Sequence, residues 1–267
     1  MLSAPPSSAQ ATADGTDWLG SPAFQLPKRQ KVLGFNDATT YAPSRKLYAQ
    51  RAAVDALRIF IPSYPGLLLG LAGLAAVLYG YEVYGMGVTF ALLPALGLVF
   101  AAVAVLIVVA IKWAMMGRFK PVIKPLWSPY VWFNEMVNGA YESIMASVVS
   151  SFFGTPFAAP LLRLLGCKIG RHCFINTGLF SEFDLVKIGD YVALNPGVVI
   201  QNHLFEDRIM KSSYLTIENG CSIGNMSVVL YDSRMGEGAT LGPLSLLMKG
   251  EVMPPGNRWH GIPTVQG

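Results

Sequence analysis

The sequence predicts a membrane helical hairpin joined to an all-β coil of short, stacked parallel strands. Two observations carry this. The first half holds two long runs without a single charge, and the second half places an aliphatic, a methionine or a tryptophan on every sixth residue. That ladder runs through Ile217, Ile223, Val229, Met235, Leu241, Leu247, Met253 and Trp259 in one phase. A period of six matches neither a helix nor an alternating strand. It matches a coil with three flat sides, in which each six-residue unit is one strand and its corner, and in which stacked layers bury a common core.

Taken in chain order, residues 1–27 read as a disordered start followed by the tail of a preceding coil domain. Residues 1–14 are rich in Ala, Ser, Pro and Thr, a composition that buries little apolar surface. Gly15 to Ala23 then repeats the G-x-x-W-x-G-x-P pattern of Gly256 to Thr264. The chain is therefore expected to be a truncated or split member of a tandem array. Residues 28–58 read as a basic linker and amphipathic helix, the amphipathic pattern running from Ser44 to Ile61 with Leu47, Val54, Leu57 and Phe60 on its apolar side.

Residues 59–111 contain the two uncharged runs, 59–81 and 83–111. Each exceeds the roughly 20 residues that a helix needs to cross the hydrocarbon core. Charged residues make up 13% of the chain, against about 25% in soluble proteins, and the mean hydropathy is positive. Lysines and arginines precede the first run and follow the second, and the link between them has none. That bias places both termini and the coil on the cytoplasmic side of the cytoplasmic membrane, with the chain crossing it twice. The net charge of +4 reads as attraction to anionic lipid, because the basic residues cluster beside the spans. Nucleic acid is not an expected partner. Residues 112–153, with Trp127, Tyr130, Trp132, Phe133 and Tyr141, read as linker helices. These either seat the coil on the membrane interface or pack against the coil itself.

Residues 154–267 form the coil domain. Glycine or asparagine after the aliphatic (Gly170, Asn176, Gly189, Asn195, Gly224, Gly236 and Gly242) is expected at a corner of positive φ. The register breaks twice. A thirteen-residue step from Ile175 to Ile188 places an outward kink at Leu179 to Asp184, and a seventeen-residue step from Ile200 to Ile217 extrudes a loop carrying Asn202, His203, Glu206, Asp207 and Arg208. A loop held at its base by a rigid coil is a natural place for function. His203 is the preferred catalytic residue, because imidazole titrates near neutral pH and can take a proton from an attacking amine or hydroxyl. Glu206 or Asp207 is expected to hold its tautomer, Asn202 to orient the substrate, and Arg208 to neutralise a negative charge or pair with Asp207. Asn195 is a further substrate-binding candidate. The alternative is that this polar cluster only closes the loop by hydrogen bonding. His172 and His260 read as structural, and no histidine or cysteine spacing suggests a metal site. Cys167, Cys173 and Cys221 read as compact apolar groups rather than a disulfide framework.

The hexapeptide pattern resembles the left-handed parallel β-helix acyltransferases. More narrowly, the strings FGTPFAAPLLRLLGCKIG, INTGLFSEFDLVKIGDYVALNPGVVIQNHLFEDRIMK, VVLYDSRMGEGATLGPLSLLMKGE and PPGNRWHGIP resemble the carboxy-terminal region of Pls-type peptide synthetases. The likeness covers about Trp18 to the end. It implies a left-handed coil and a membrane-tethered condensing domain, in which the loop histidine is general base for transfer from a carrier thioester to an amine. It also implies an acyl donor presented as phosphopantetheine thioester or acyl-CoA, with no covalently bound cofactor. Adenylation and carrier domains would be partners, and a homotrimer or tandem pseudo-trimer the assembly. Two other readings remain at this point: a stand-alone CoA-dependent O- or N-acetyltransferase, and an inactive hexapeptide scaffold.

Overall fold

A computed structural model describes residues 18–19, 23–25 and 34–267. Near its start, β1 (Trp18–Leu19) pairs antiparallel with β2 (Phe24–Gln25), matching Trp18 to Gln25 and Leu19 to Phe24. Residues 1–17, 20–22 and 26–33 lie outside the described residues, including the expected disordered start and most of the first W-x-G-x-P element.

Helix α1 (Arg45–Met115) begins at Ser44, whose hydroxyl accepts from the Leu47 amide and so satisfies one of the free N–H groups of the first turn. The expected amphipathic helix and first apolar run form one continuous helix, which runs on through Pro62 and Pro65. The helix is interrupted at Gly85, where φ is 75° and ψ 170°, a conformation open to glycine. The arms on either side of Gly85 come together. A Cβ built on Gly73 would lie 3.4 Å from the Phe100 ring, and one on Gly80 would lie 3.3 Å from the Thr89 hydroxyl. Between the arms and Ser143, Ile144 and Phe152 lies a largely apolar cleft of about 880 Å³. The most apolar 18-residue window of α1 has a mean hydropathy of 2.9 and is only 17% buried, so by length and composition it qualifies to cross a membrane.

Much of the 112–153 segment is packed within the protein. Strand β3 (Val122–Pro125) leads to α2 (Pro129–Ala140), whose Val131, Trp132, Asn134, Met136, Val137 and Ala140 are buried. A π-turn at Tyr141–Met145 and the short α3 (Ala146–Val149) follow, and α4 (Ala158–Leu164) caps the coil.

Three parallel sheets form the coil walls. One joins β4 (Lys168–Ile169), β7 (Val186–Ile188), β12 (Leu215–Ile217), β15 (Arg234–Met235) and β18 (Val252–Met253). The second joins β5 (Phe174–Ile175), β8 (Ala193–Leu194), β13 (Ser222–Ile223), β16 (Thr240–Leu241) and β19 (Arg258–His260). The third joins β6 (Leu179–Phe180), β9 (Val199–Gln201), β14 (Val228–Leu230) and β17 (Leu246–Leu247). Aliphatics stack on aliphatics, as in Ile188 to Ile217 to Met235 to Met253, and all four are essentially buried. The chain closes with β20 (Val265–Gln266) antiparallel to β19, pairing Trp259 with Gln266 and His260 with Val265. The spacing is the same as in the β1–β2 pair.

The corners differ from expectation. Positive φ falls on the third residue after the aliphatic, at His172, Tyr191, Gly197, Gly220, Met226, Asp232, Gly238, Leu244, Gly250 and Gly256. The glycines directly after the aliphatic serve close stacking instead. A Cβ on Gly236 would lie 2.7 Å from the Pro255 nitrogen, and one on Gly242 would lie 2.9 Å from the His260 Cβ. The first register break is also not an exposed kink. The third wall takes Phe180, and the following turn (Phe183–Leu185) is buried under the helices. Asp184 there accepts from the Lys112 ammonium at 2.7 Å and the Phe119 amide at 3.0 Å. Lys112 is fully buried and lies 3.4 Å from the centre of the Trp113 ring.

Removing one partner of such a pair leaves an uncompensated charge, so Lys112→Met should destabilise the fold by about 3–5 kcal/mol. Adding Asp184→Asn should recover part of that loss. Chemical unfolding in detergent micelles, followed by the β-sheet circular-dichroism signal, checks both. At the coil core, Ile223→Ala should cost about 2–5 kcal/mol in the same assay.

Candidate active site

The second register break is an ordered antiparallel hairpin. Strand β10 (His203–Glu206) pairs with β11 (Ile209–Ser212), and β11 pairs in turn with β3, so the extrusion is anchored to the helical segment. His203 stands at the base of the hairpin, opposite Ser212. Its side chain is 17% exposed and its Nδ1 lies 2.8 Å from Oε2 of Glu182. Glu182 is wholly buried, with φ 38°, and its Oε1 accepts from Nδ2 of Asn134 at 2.8 Å. A buried carboxylate needs such donors to remain charged. With Nδ1–H directed to Glu182, Nε2 carries the free lone pair and is the basic nitrogen.

Burial alone would lower the His203 pKa. The hydrogen bond to Glu182, and the charges of Glu182 and Glu135, outweigh it and raise the pKa above the usual histidine value. The ring also meets Phe205 edge-on, with centroids 5.4 Å apart. His203 lines a cleft of about 410 Å³ between the third coil wall and α2. Phe153, Leu179, Phe180, Val199 and Ile200 give it apolar sides, while Asn138, Glu142, Ser181 and Gln201 supply polar atoms. The Tyr141 hydroxyl closes one side by donating to the Gly178 carbonyl at 2.7 Å. Among the described residues, no lysine or arginine lines the cleft.

The acids nearest in sequence do not hold His203. Glu206 lies three residues along a strand, hence on the opposite face, where it binds Lys211 at 2.7 Å and also Lys249. Burial pushes its pKa up, but the two lysines prevail and hold it below the usual carboxylate range. Asp207 and Arg208 form the hairpin tip, both at positive φ, with the Arg208 guanidinium 5.0 Å from the Tyr41 ring centre. Asn202 is fully buried at the hairpin base. Its Nδ2 donates to the Ser213 carbonyl at 3.2 Å, and its backbone amide donates to the Ser181 hydroxyl at 3.2 Å. Asn195 donates to the Ile223 carbonyl at 2.7 Å, tying one coil layer to the next. Neither asparagine lines the cleft. The cysteines are free, and burial pushes the thiol pKa of all three upward, which disfavours a thiolate nucleophile.

No protein-family model matches the chain. Over 94% of its length it is 35% identical to delta-poly-L-ornithine synthetase of Acinetobacter baumannii (strain AB307-0294), and it spans 19% of that relative. Among solved structures, a hexapeptide-repeat acetyltransferase of Vibrio cholerae shares 14% identity, covering 46% of this chain and 87% of that one at a TM-score of 0.35. A galactoside acetyltransferase in complex with coenzyme A shares 18%, covering 46% and 78% at a TM-score of 0.37.

Glu182→Gln removes the charge that raises the His203 pKa and leaves the burial that lowers it. The His203 titration, followed by NMR of imidazole-labelled protein, should move to lower pH, whereas Glu206→Gln should shift it far less.

Proposed function

For a chain that resembles Pls-type peptide synthetases over nearly its whole length, we propose the role of a membrane-tethered condensing domain. It joins an aminoacyl group, carried as a thioester, to an amine. The observation that carries this reading is the 2.8 Å bond from His203 Nδ1 to the buried Glu182, which leaves Nε2 as a base at the edge of a cleft. The amine nitrogen attacks the thioester carbonyl, a C–N bond forms and the C–S bond breaks. His203 Nε2 takes the amine proton and returns it to the departing thiolate, while Glu182 stabilises the imidazolium in between. The lack of lysine and arginine along the cleft among the described residues supports an amine acceptor, and the apolar wall suits a short methylene chain. The poly-L-ornithine named in the relative is consistent with such an acceptor.

On this reading the two arms of α1 form a membrane hairpin, with both ends and a left-handed coil on the cytoplasmic face. The donor is a phosphopantetheine thioester, adenylation and carrier domains supply it, and a trimer or tandem array completes the assembly. The acidic residue that orients the base is Glu182, in the place first expected for Glu206 or Asp207.

The test uses the full chain in detergent micelles, with ornithinyl pantetheine thioester as donor, a diamine as acceptor and thiol release as readout. His203→Ala should reduce turnover by at least about 100-fold with an unchanged β-sheet spectrum. Unaltered turnover removes the assignment. Thiol release from acetyl-CoA alone would move the protein to the CoA-dependent acetyltransferases, and no turnover with either donor would leave a scaffold.

A further inference from the structure

The His203–Glu182 pair belongs to the coil, but what holds Glu182 does not. Asn134, on α2, is 1% exposed and donates to Glu182 Oε1 at 2.8 Å, while Glu182 Oε2 holds His203. The next residue, Glu135, faces α1. Its Oε2 accepts from Arg58 at 3.1 Å and also from Arg51, which is tied to Asp55 at 2.8 Å. Adjacent residues of one rigid helix thus grip the membrane-proximal arm on one side and the histidine's carboxylate on the other. The hairpin that carries His203 is joined to the same segment through β3, where Met210 pairs with Lys124 and Lys211 with Ile123.

We infer that Asn134 is a positioning residue for catalysis, acting through Glu182, and that the helical layer is therefore part of the catalytic apparatus rather than a tether alone. This rests on His203 being the base. A carboxylate with two oxygens and two partners has one orientation that serves both. Losing the amide donor frees the Glu182 carboxylate to rotate, and that loosens the imidazole that it aligns. Glu135 adds to the effect, because its charge also favours the protonated imidazole. The geometry of the base therefore follows the seating of α2 on α1.

A double-mutant cycle in the thioester assay tests this, with Asn134→Ala and Glu182→Gln made singly and together in the full chain. Asn134→Ala should lower kcat about tenfold with KM changed less than about twofold. The double variant should be no more than about twofold slower than Glu182→Gln alone, because both changes remove one linked function. Asn134→Leu, which keeps the packing volume but not the donor, should match Asn134→Ala, and it stands in should the alanine variant fold poorly. Losses that multiply across the cycle would overturn the inference, as would full activity of both Asn134 variants. His203→Ala, run in parallel, separates the two levels. Retained activity there defeats the base assignment itself, whereas an inactive His203→Ala with a multiplicative cycle defeats only the role of Asn134.

Discussion

Two carboxylates, two residues apart in an irregular turn of the first coil layer, fasten this molecule together. A buried carboxylate must find donors or lose its charge. Glu182 and Asp184 find theirs on separate parts of the chain: His203 on the hairpin and Asn134 on α2 for the first, Lys112 in the last turn of α1 and the Phe119 amide just beyond it for the second. Apart from the hairpin, the coil walls repeat from layer to layer. These two side chains, together with the β11–β3 pairing, hold the helices at one height on one wall. They also define the cleft, because its floor is the coil wall and its roof is the α2 segment that Glu182 holds.

The coil was legible because few structures besides a three-sided prism need an aliphatic on every sixth residue, and every member of the ladder from Ile217 to Met253 is buried where the period put it. The corner chemistry was not. Half of the left-handed positions carry a side chain, among them His172, Tyr191, Met226, Asp232 and Leu244, so glycine content pointed two residues too early. The glycines that seemed to mark corners are excluded from carrying a Cβ by the layer beside them. Steric exclusion between layers and backbone handedness leave the same residue type, and sequence alone does not separate them.

His203 was visible as a titratable group inside a register break, but its partner was not. Glu206 and Asp207 were attractive because they are near in sequence, and that nearness counts only if the segment is an irregular loop. Once it is a strand, an offset of three residues turns Glu206 to the other face, toward Lys211 and Lys249. The signal for Glu182 was present in a different form: two acids in an off-phase stretch flanked by Phe180, Phe183 and Leu185. Acids among aromatics and aliphatics are expected to be paired, yet their partners lie 21 residues downstream in one case and 48 and 72 upstream in the others. Distances of that kind are set by topology, which the local pattern does not contain.

The strict repeat of the three walls also limits how such a molecule can change its length. Each circuit beyond the hairpin takes eighteen residues, as from Ile217 to Met235 to Met253, and raises the chain by one strand spacing, about 4.8 Å. Losing or gaining a number of residues that is not a multiple of six within the walls would turn every later aliphatic out of the interior. Length in this architecture thus comes in six-residue sides, three to a storey, and anything else must be looped out sideways, as the His203 hairpin is.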